Sequence, residues 1–152
     1  MYKPLFAAAA VVLSQTLFAG AGSPAACLTT LPPSPSFIPP KPYTASEGFW
    51  FGTNALWVHL PIKLTAGQGQ KLFVWSEDYK DPRSEPKPAM VVTGRRLDGG
   101  SRPFIAQHAT NVINIAGGPA MLIGVTVPEA GCWELTVFYR DATLSFIVPV
   151  EH

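Results

Sequence analysis

Charge is scarce in this chain. Asp, Glu, Lys and Arg make up only 14% of its 152 residues, and 11 basic against 10 acidic residues leave a formal net charge of +1. A nucleic-acid partner needs a dense basic surface, so that class is excluded. Cysteine and histidine are nearly as rare, at 2 and 3 residues. Neither Cys27 nor Cys132 has a His or a second Cys at ligand spacing, which removes a zinc site of the usual grammar. No stretch of helical period is long enough to specify a helix, no internal repeat is visible, and no G-x-S-x-G elbow presents a serine nucleophile.

What the chain has in quantity is apolar residues, at 47%, together with 16 prolines and 13 glycines. That balance argues against disorder and for one packed domain. The start reads Met-Tyr-Lys-Pro and then LFAAAAVVLSQTLFAG, a short positive region followed by an apolar run, with small residues at Ala19-Gly20-Ala21 and again at Pro24-Ala25-Ala26. This is the grammar of a removable signal peptide, assigned here to residues 1–26. Ser14, Gln15 and Thr16 interrupt the run, and a spanning helix needs about 20 mainly apolar residues, so the mature chain is expected to carry no transmembrane segment.

Export sets the reading of the cysteines. An even count in an oxidising compartment favours a Cys27–Cys132 disulfide, closing a loop of roughly a hundred residues. The competing reading makes Cys27 a lipidated N-terminus, but a lipobox wants a Leu-like residue three positions earlier, where Pro24 stands. The expected location is therefore secreted or periplasmic, with a lipid anchor on Cys27 as the alternative.

Residues 27–48 hold six prolines between Leu28 and Gly48, which remove backbone donors and fix φ. An extended, partly polyproline II arm is predicted there. From residue 49 to 152 short runs rich in β-branched and aromatic residues alternate with Gly, Pro and Asp. Strands are expected at 55–60, 71–75, 89–97, 102–109, 120–127, 132–140 and 143–150, with a further short one at 49–52. Seven or eight such strands in about a hundred residues predict an all-β fold, an immunoglobulin-like antiparallel β-sandwich. Asp98-Gly99-Gly100 is expected to supply positive φ for a hairpin, Arg140-Asp141-Ala142 to join the last two strands, and Pro128 to Gly131 to form a corner between sheets. Alternation puts Trp133, Leu135, Val137 and Tyr139 on the core face and Cys132 on the other. A bridge at Cys132 would then pin the arm over the outside of a sheet, unlike the core-crossing bridge of antibody domains.

The strings FWFGTNALWVHLP (49–61), KLFVWSEDYKDPRSEPKPAMVVTGRRLDGG (71–100), HATN (108–111), AMLIGV (120–125) and GCWELTVFYRDATLSFIV (131–148) together resemble a group of uncharacterised bacterial exported proteins with G-x-x-ALW, TGRRLD and GCWE patterns. The resemblance covers nearly all of the mature chain and implies an exported, immunoglobulin-like domain with no catalytic residues to carry over. The chain departs from the pattern at Phe73-Val74-Trp75, where paired tryptophans are usual, and at Phe51, where several members have Tyr.

Candidate chemistry is thin. His59 and His108 lack a partner within their motifs, and His59 is expected as an outward polar residue beside Trp57. Glu77, Asp78, Asp81 and Glu85 share a loop with Lys80 and Arg83, without calcium-loop grammar, and read as a self-paired solvated loop. Trp75 and Tyr79 offer a stacking platform for a sugar ring. Arg95 and Arg96 face opposite sides of a strand, where Asp98, Glu129 and Glu134 are available partners. The candidate interaction surface is thus Trp75, Tyr79, Arg95 and Arg96. No catalytic, cofactor or metal site is expected. The function read from sequence is a non-catalytic structural or protein-interaction domain of the bacterial envelope or exterior, meeting an envelope or extracellular protein or glycan. The alternative is a carbohydrate-binding module with an aromatic platform.

Overall fold

The computed structural model describes residues 26–40, 47–115 and 118–152; the signal peptide expected at 1–26 lies outside them except for its last residue. The protein is all-β, an immunoglobulin-like sandwich built from β1 (Phe49–Thr53), β2 (Leu56–Leu60), β3 (Leu64–Thr65), β4 (Gly69–Val74), β5 (Val91–Arg96), β6 (Phe104–Ala106), β7 (Thr110–Ile115), β8 (Gly118–Thr126), β9 (Gly131–Tyr139) and β10 (Ala142–Glu151). One sheet has the order β3-β10-β9-β5-β6. The opposing sheet is β4-β8-β7, extended by the β1-β2 hairpin through an antiparallel bridge between Trp57 and Trp75.

The period-2 pattern explains which side chains meet between the sheets. Along β9 Trp133, Leu135, Val137 and Tyr139 are at most 1% exposed, and along β10 Leu144, Phe146, Val148 and Val150 turn the same way. They pack against Leu56, Val58 and Leu60 of β2, Leu72 and Val74 of β4, and Met121, Ile123 and Val125 of β8. Each such side chain contributes roughly 1.5–3 kcal/mol on burial, so this interior is the dominant favourable term. Pro61, which has no N–H to extend the β1-β2 ladder, follows the last residue of β2. The chain then crosses to the other sheet, where β3 pairs in parallel with the end of β10.

Among the described residues ten strands form where seven or eight were expected. The two unforeseen ones are β3, only two residues long, and β7, which lies just beyond the run expected at 102–109. That run is broken by His108, whose φ of 65° turns the chain off the first sheet before Ala109 is buried and β7 joins the second. The corner at Pro128 to Gly131 does carry the chain from β8 in one sheet to β9 in the other. The last hairpin turns tightly at Arg140 and Asp141, with Arg140 at φ 51°. The hairpin after β5 is antiparallel as expected, but residues 97–103 form a wider loop and neither Gly99 nor Gly100 takes the left-handed conformation foreseen for them.

The arm follows the outside of the molecule. Cys27 is bonded to Cys132 with a Cα–Cα distance of 5.2 Å, on the face of β9 opposite Trp133. Thr30 continues onto the edge of β10 away from β9, short of the residues that β3 pairs, donating its N–H to the Ile147 carbonyl at 3.0 Å and accepting the Ile147 N–H on Oγ1 at 2.7 Å. Farther along, Phe37 packs on Trp57 of the other sheet at 6.2 Å between ring centres, and Pro39 is buried. The arm therefore straps one sheet to the other from outside, as the orientation of Cys132 required. Of its residues, 41–46 lie outside those described.

Candidate functional site

The two most distinctive motifs of the sequence meet at one end of the sandwich. Arg95 and Glu134 are directly opposed on β5 and β9 and form an ion pair of 2.7 Å on the outer face. Arg96, one residue on, turns to the other side and is held by Asp98 at 2.8 Å and Glu129 at 2.6 Å. Asp98 also accepts the Cys132 N–H at 3.0 Å on its second oxygen, and the Leu97 N–H bonds the Cys132 carbonyl at 2.8 Å. The hydrogen bond from Arg96 keeps the Asp98 carboxyl below its ordinary pKa, aided by the Cys132 amide. Gly131 completes the arrangement: at φ 141° it lacks the Cβ that would stand 2.7 Å from the Arg96 Nε. The Trp133 indole donates to the Glu129 carbonyl at 2.9 Å, which fixes the corner itself. Arg95 and Arg96, both expected as interaction candidates, are thus each engaged in ion pairs within the fold.

The aromatic candidates lie elsewhere and are not surface features. Trp75 is 4% exposed and Tyr79 3%, so neither ring presents a face on which a sugar could stack. Trp75 belongs to a second apolar cluster outside the sandwich interior, with Trp57 and Ala120 buried and Phe37, Trp50 and Phe73 packed around them. Trp50 meets the Trp75 ring edge-on at 5.2 Å. This cluster is what the middle of the arm covers. A cavity of about 590 Å³ opens beside it, with Trp57, Trp75, Tyr79, Glu77, Asp78 and Lys80 among its lining. The Trp57 Nε1 is buried with no hydrogen-bond partner among the described residues.

Tyr79 is instead part of a polar network under the loop that follows β4. Its hydroxyl donates to the Glu85 carbonyl at 3.0 Å, while the Glu85 carboxylate accepts from Tyr139 at 2.7 Å and from Arg140 at 3.0 Å. The Arg140 guanidinium lies 5.0 Å over the Tyr139 ring, and the two tyrosine rings meet edge to face. Burial, reinforced by the Glu85 carboxylate, pushes the Tyr139 phenol well above its ordinary pKa, and burial does the same for Tyr79. Pairing of this acidic loop was foreseen, with Lys80 and Arg83 as the cations. The structure uses Arg140 for Glu85, and Asp81 accepts from the Arg83 backbone N–H at 2.9 Å. Arg140 carries no signal in the sequence near residue 85, since it is brought there by the final hairpin.

The histidines stay apart. His59 sits on the outer face of β2, edge-on to Trp50 at 4.9 Å, and burial lowers its pKa. His108 is exposed at the turn between β6 and β7, beside a shallow cleft of about 430 Å³ with Lys87 and Met90 on its walls. Among the described residues no three His, Cys, Asp or Glu side chains gather as a metal cluster, and no helix is long and apolar enough to cross a membrane.

No family model and no curated protein matches the sequence. Among solved structures the chain is similar to a candidate lipoprotein from Bacillus anthracis, at 11% identity and a TM-score of 0.45, over 72% of this chain and 82% of that one.

Proposed function

We propose that this chain is an exported, disulfide-closed domain that acts through its surface, as a structural or protein-interaction module of the bacterial envelope or exterior, without catalysis. The observation that carries this reading is the Cys27–Cys132 bridge, which uses both cysteines of the chain. Such a bridge persists where no cytosolic reductant opens it. Its position also matters, because it fastens an arm that begins directly after the apolar leader and runs along the outside of both sheets. The rare charged side chains support a surface role over a reactive one: Arg95, Arg96, Arg140, Glu85 and Asp98 each hold another part of the fold. The glycan alternative has less behind it, since its two aromatic residues are buried.

Bridge and lipid compete for the same sulfur, because a Cys27 thioether leaves none to bond Cys132. Intact mass of the protein from its own exported fraction, with and without reduction and alkylation, separates them. A chain cut before Cys27 and alkylated only after reduction is the expected result. Retention of the leader, or acyl mass on Cys27 with Cys132 freely alkylated, would overturn the soluble exported reading.

A further inference from the structure

The arm is seated lightly. From Leu28 to Pro40 only Pro39 is buried, with Thr30, Pro33 and Phe37 half-buried. Its other large apolar side chains face solvent, Leu28 at 82%, Leu31 at 74% and Ile38 at 77%. Besides the bridge it is seated by the two hydrogen bonds between Thr30 and Ile147, by Phe37 on Trp57 and by Pro39. The sandwich interior is built without it. Among the described residues that interior begins at Leu56, Phe49 is the earliest side chain packed against it, and no strand precedes β1. Ordering the backbone of the arm costs more conformational entropy than two hydrogen bonds and one ring contact return, so the bridge is what keeps it in place.

We propose that the arm is a redox-released strap: reduction of the Cys27–Cys132 bridge frees it from both sheets while the sandwich stays folded. Cys132 is 4% exposed and Cys27 half-buried, so an incoming thiolate meets the Cys27 sulfur first. The reductant is a dithiol, small or carried by a protein. Its thiolate attacks the Cys27 sulfur, the S–S bond breaks, and the Cys132 sulfur leaves as a thiolate that takes up a proton. The second thiol of the reductant then displaces Cys27 as a thiol, so two electrons have passed to the bridge and the dithiol ends as a disulfide. Release changes the surface at three places. The N–H and carbonyl of Ile147 return to solvent on the edge of β10. Trp57, 3% exposed, loses the ring of Phe37, and its Nε1, without a hydrogen-bond partner among the described residues, is opened to one. The cavity beside it loses Pro40 from its lining. The bridged arm is thus an internal cover over groups that the reduced domain presents. The device stands on the arm's own contacts and does not depend on which partner the domain meets.

The test treats the oxidised mature chain with dithiothreitol in the absence of denaturant, alkylates it, and follows it by mass and by hydrogen exchange. Both thiols should be alkylated under these native conditions. The Ile147 amide and the Trp57 indole N–H should then exchange about tenfold faster or more, whereas the amides of β9 and the Trp133 indole, bonded to the Glu129 carbonyl, keep their protection. Phe37→Ala in the oxidised chain should speed exchange at the Trp57 indole alone, since the bridge still seats Thr30. Alkylation that requires denaturant, loss of β9 protection together with that of Ile147, or an Ile147 amide still protected after alkylation overturns the proposal.

Discussion

Removing the bridge with Cys27→Ala and Cys132→Ala together tests how the arm contributes to the fold. The cysteines are 105 residues apart, so the bridge closes almost the whole mature chain into one loop. Loop-closure entropy for such a loop is about 16 cal/mol/K, or about 4.8 kcal/mol at room temperature, which oxidation withholds from the unfolded state. That figure is an upper bound, because without the bridge the arm can leave the sheet while the ten strands stay paired. What then holds the arm is the pair of hydrogen bonds between Thr30 and Ile147, about 1 kcal/mol each net, and the packing of Phe37 on Trp57. A loss of about 3 to 5 kcal/mol is expected, equivalent to a fall in Tm of roughly 10–20 °C. Urea unfolding followed by tryptophan fluorescence measures it. The slope m should rise at the same time, since an unbridged unfolded chain exposes more surface. A loss below about 1 kcal/mol with an unchanged slope would refute the reasoning, because the bridge would then constrain neither state.

Three further outcomes follow from named contacts. Gly94→Ala should cost about 2 kcal/mol in urea unfolding, because the ring of Phe104 lies where the new Cβ would go, with Phe104 Cδ1 and Cζ 2.6 Å from that point. Asp98→Ala should lower the unfolding midpoint and weaken its dependence on pH below the ordinary carboxyl value of 3.8. The depressed carboxyl pKa gives stability that is present above 3.8 and lost as pH falls through the folded value. At the alkaline end the raised Tyr139 and Tyr79 phenols work the other way: their contribution is complete below the ordinary phenol value of 10.0 and declines as pH rises past it. Tyr139→Phe should flatten that alkaline decline in pH-dependent denaturation curves.

Much of the fold was legible because it rests on local rules. Alternation named the core face of β9 correctly, and placing Cys132 opposite Trp133 was enough to predict an external strap. Turn chemistry worked where the turn is short, as at Arg140 and Asp141, and failed at Gly99 and Gly100. There the loop is shaped by a distant amide, the Cys132 N–H bonded to Asp98, rather than by its own φ preferences. The split between β6 and β7 was missed for a related reason. His108 takes a positive φ that its residue type does not announce, and the change of sheet it permits is a tertiary event. Trp75 and Tyr79 were open to a surface reading because a large ring just past a strand end or in a loop carries no label for which side is covered. The residues that cover Trp75, Phe37 and Trp50, lie in sequence 38 and 25 positions earlier.

The same contrast holds for the most specific strings of the sequence, whose polar residues find their partners across the fold. TGRRLD and GCWE are separated by more than thirty residues, yet their polar groups answer one another: Arg95 has Glu134, and Asp98 has Arg96 and the Cys132 amide. Gly94 makes room for Phe104, which in turn packs at 5.8 Å on Trp133, and Gly131 makes room for Arg96. The residues of the two strings thus serve to seat Cys132, close the corner before it and join β5 to its neighbours β6 and β9. The demand is structural because the arm needs a rigid anchor: a bridge to a mobile strand end would let Thr30 slip from the edge of β10. Away from this anchor, on the same sheet, the apolar side chains of Phe138 and Ile105 stay exposed and take no part in it.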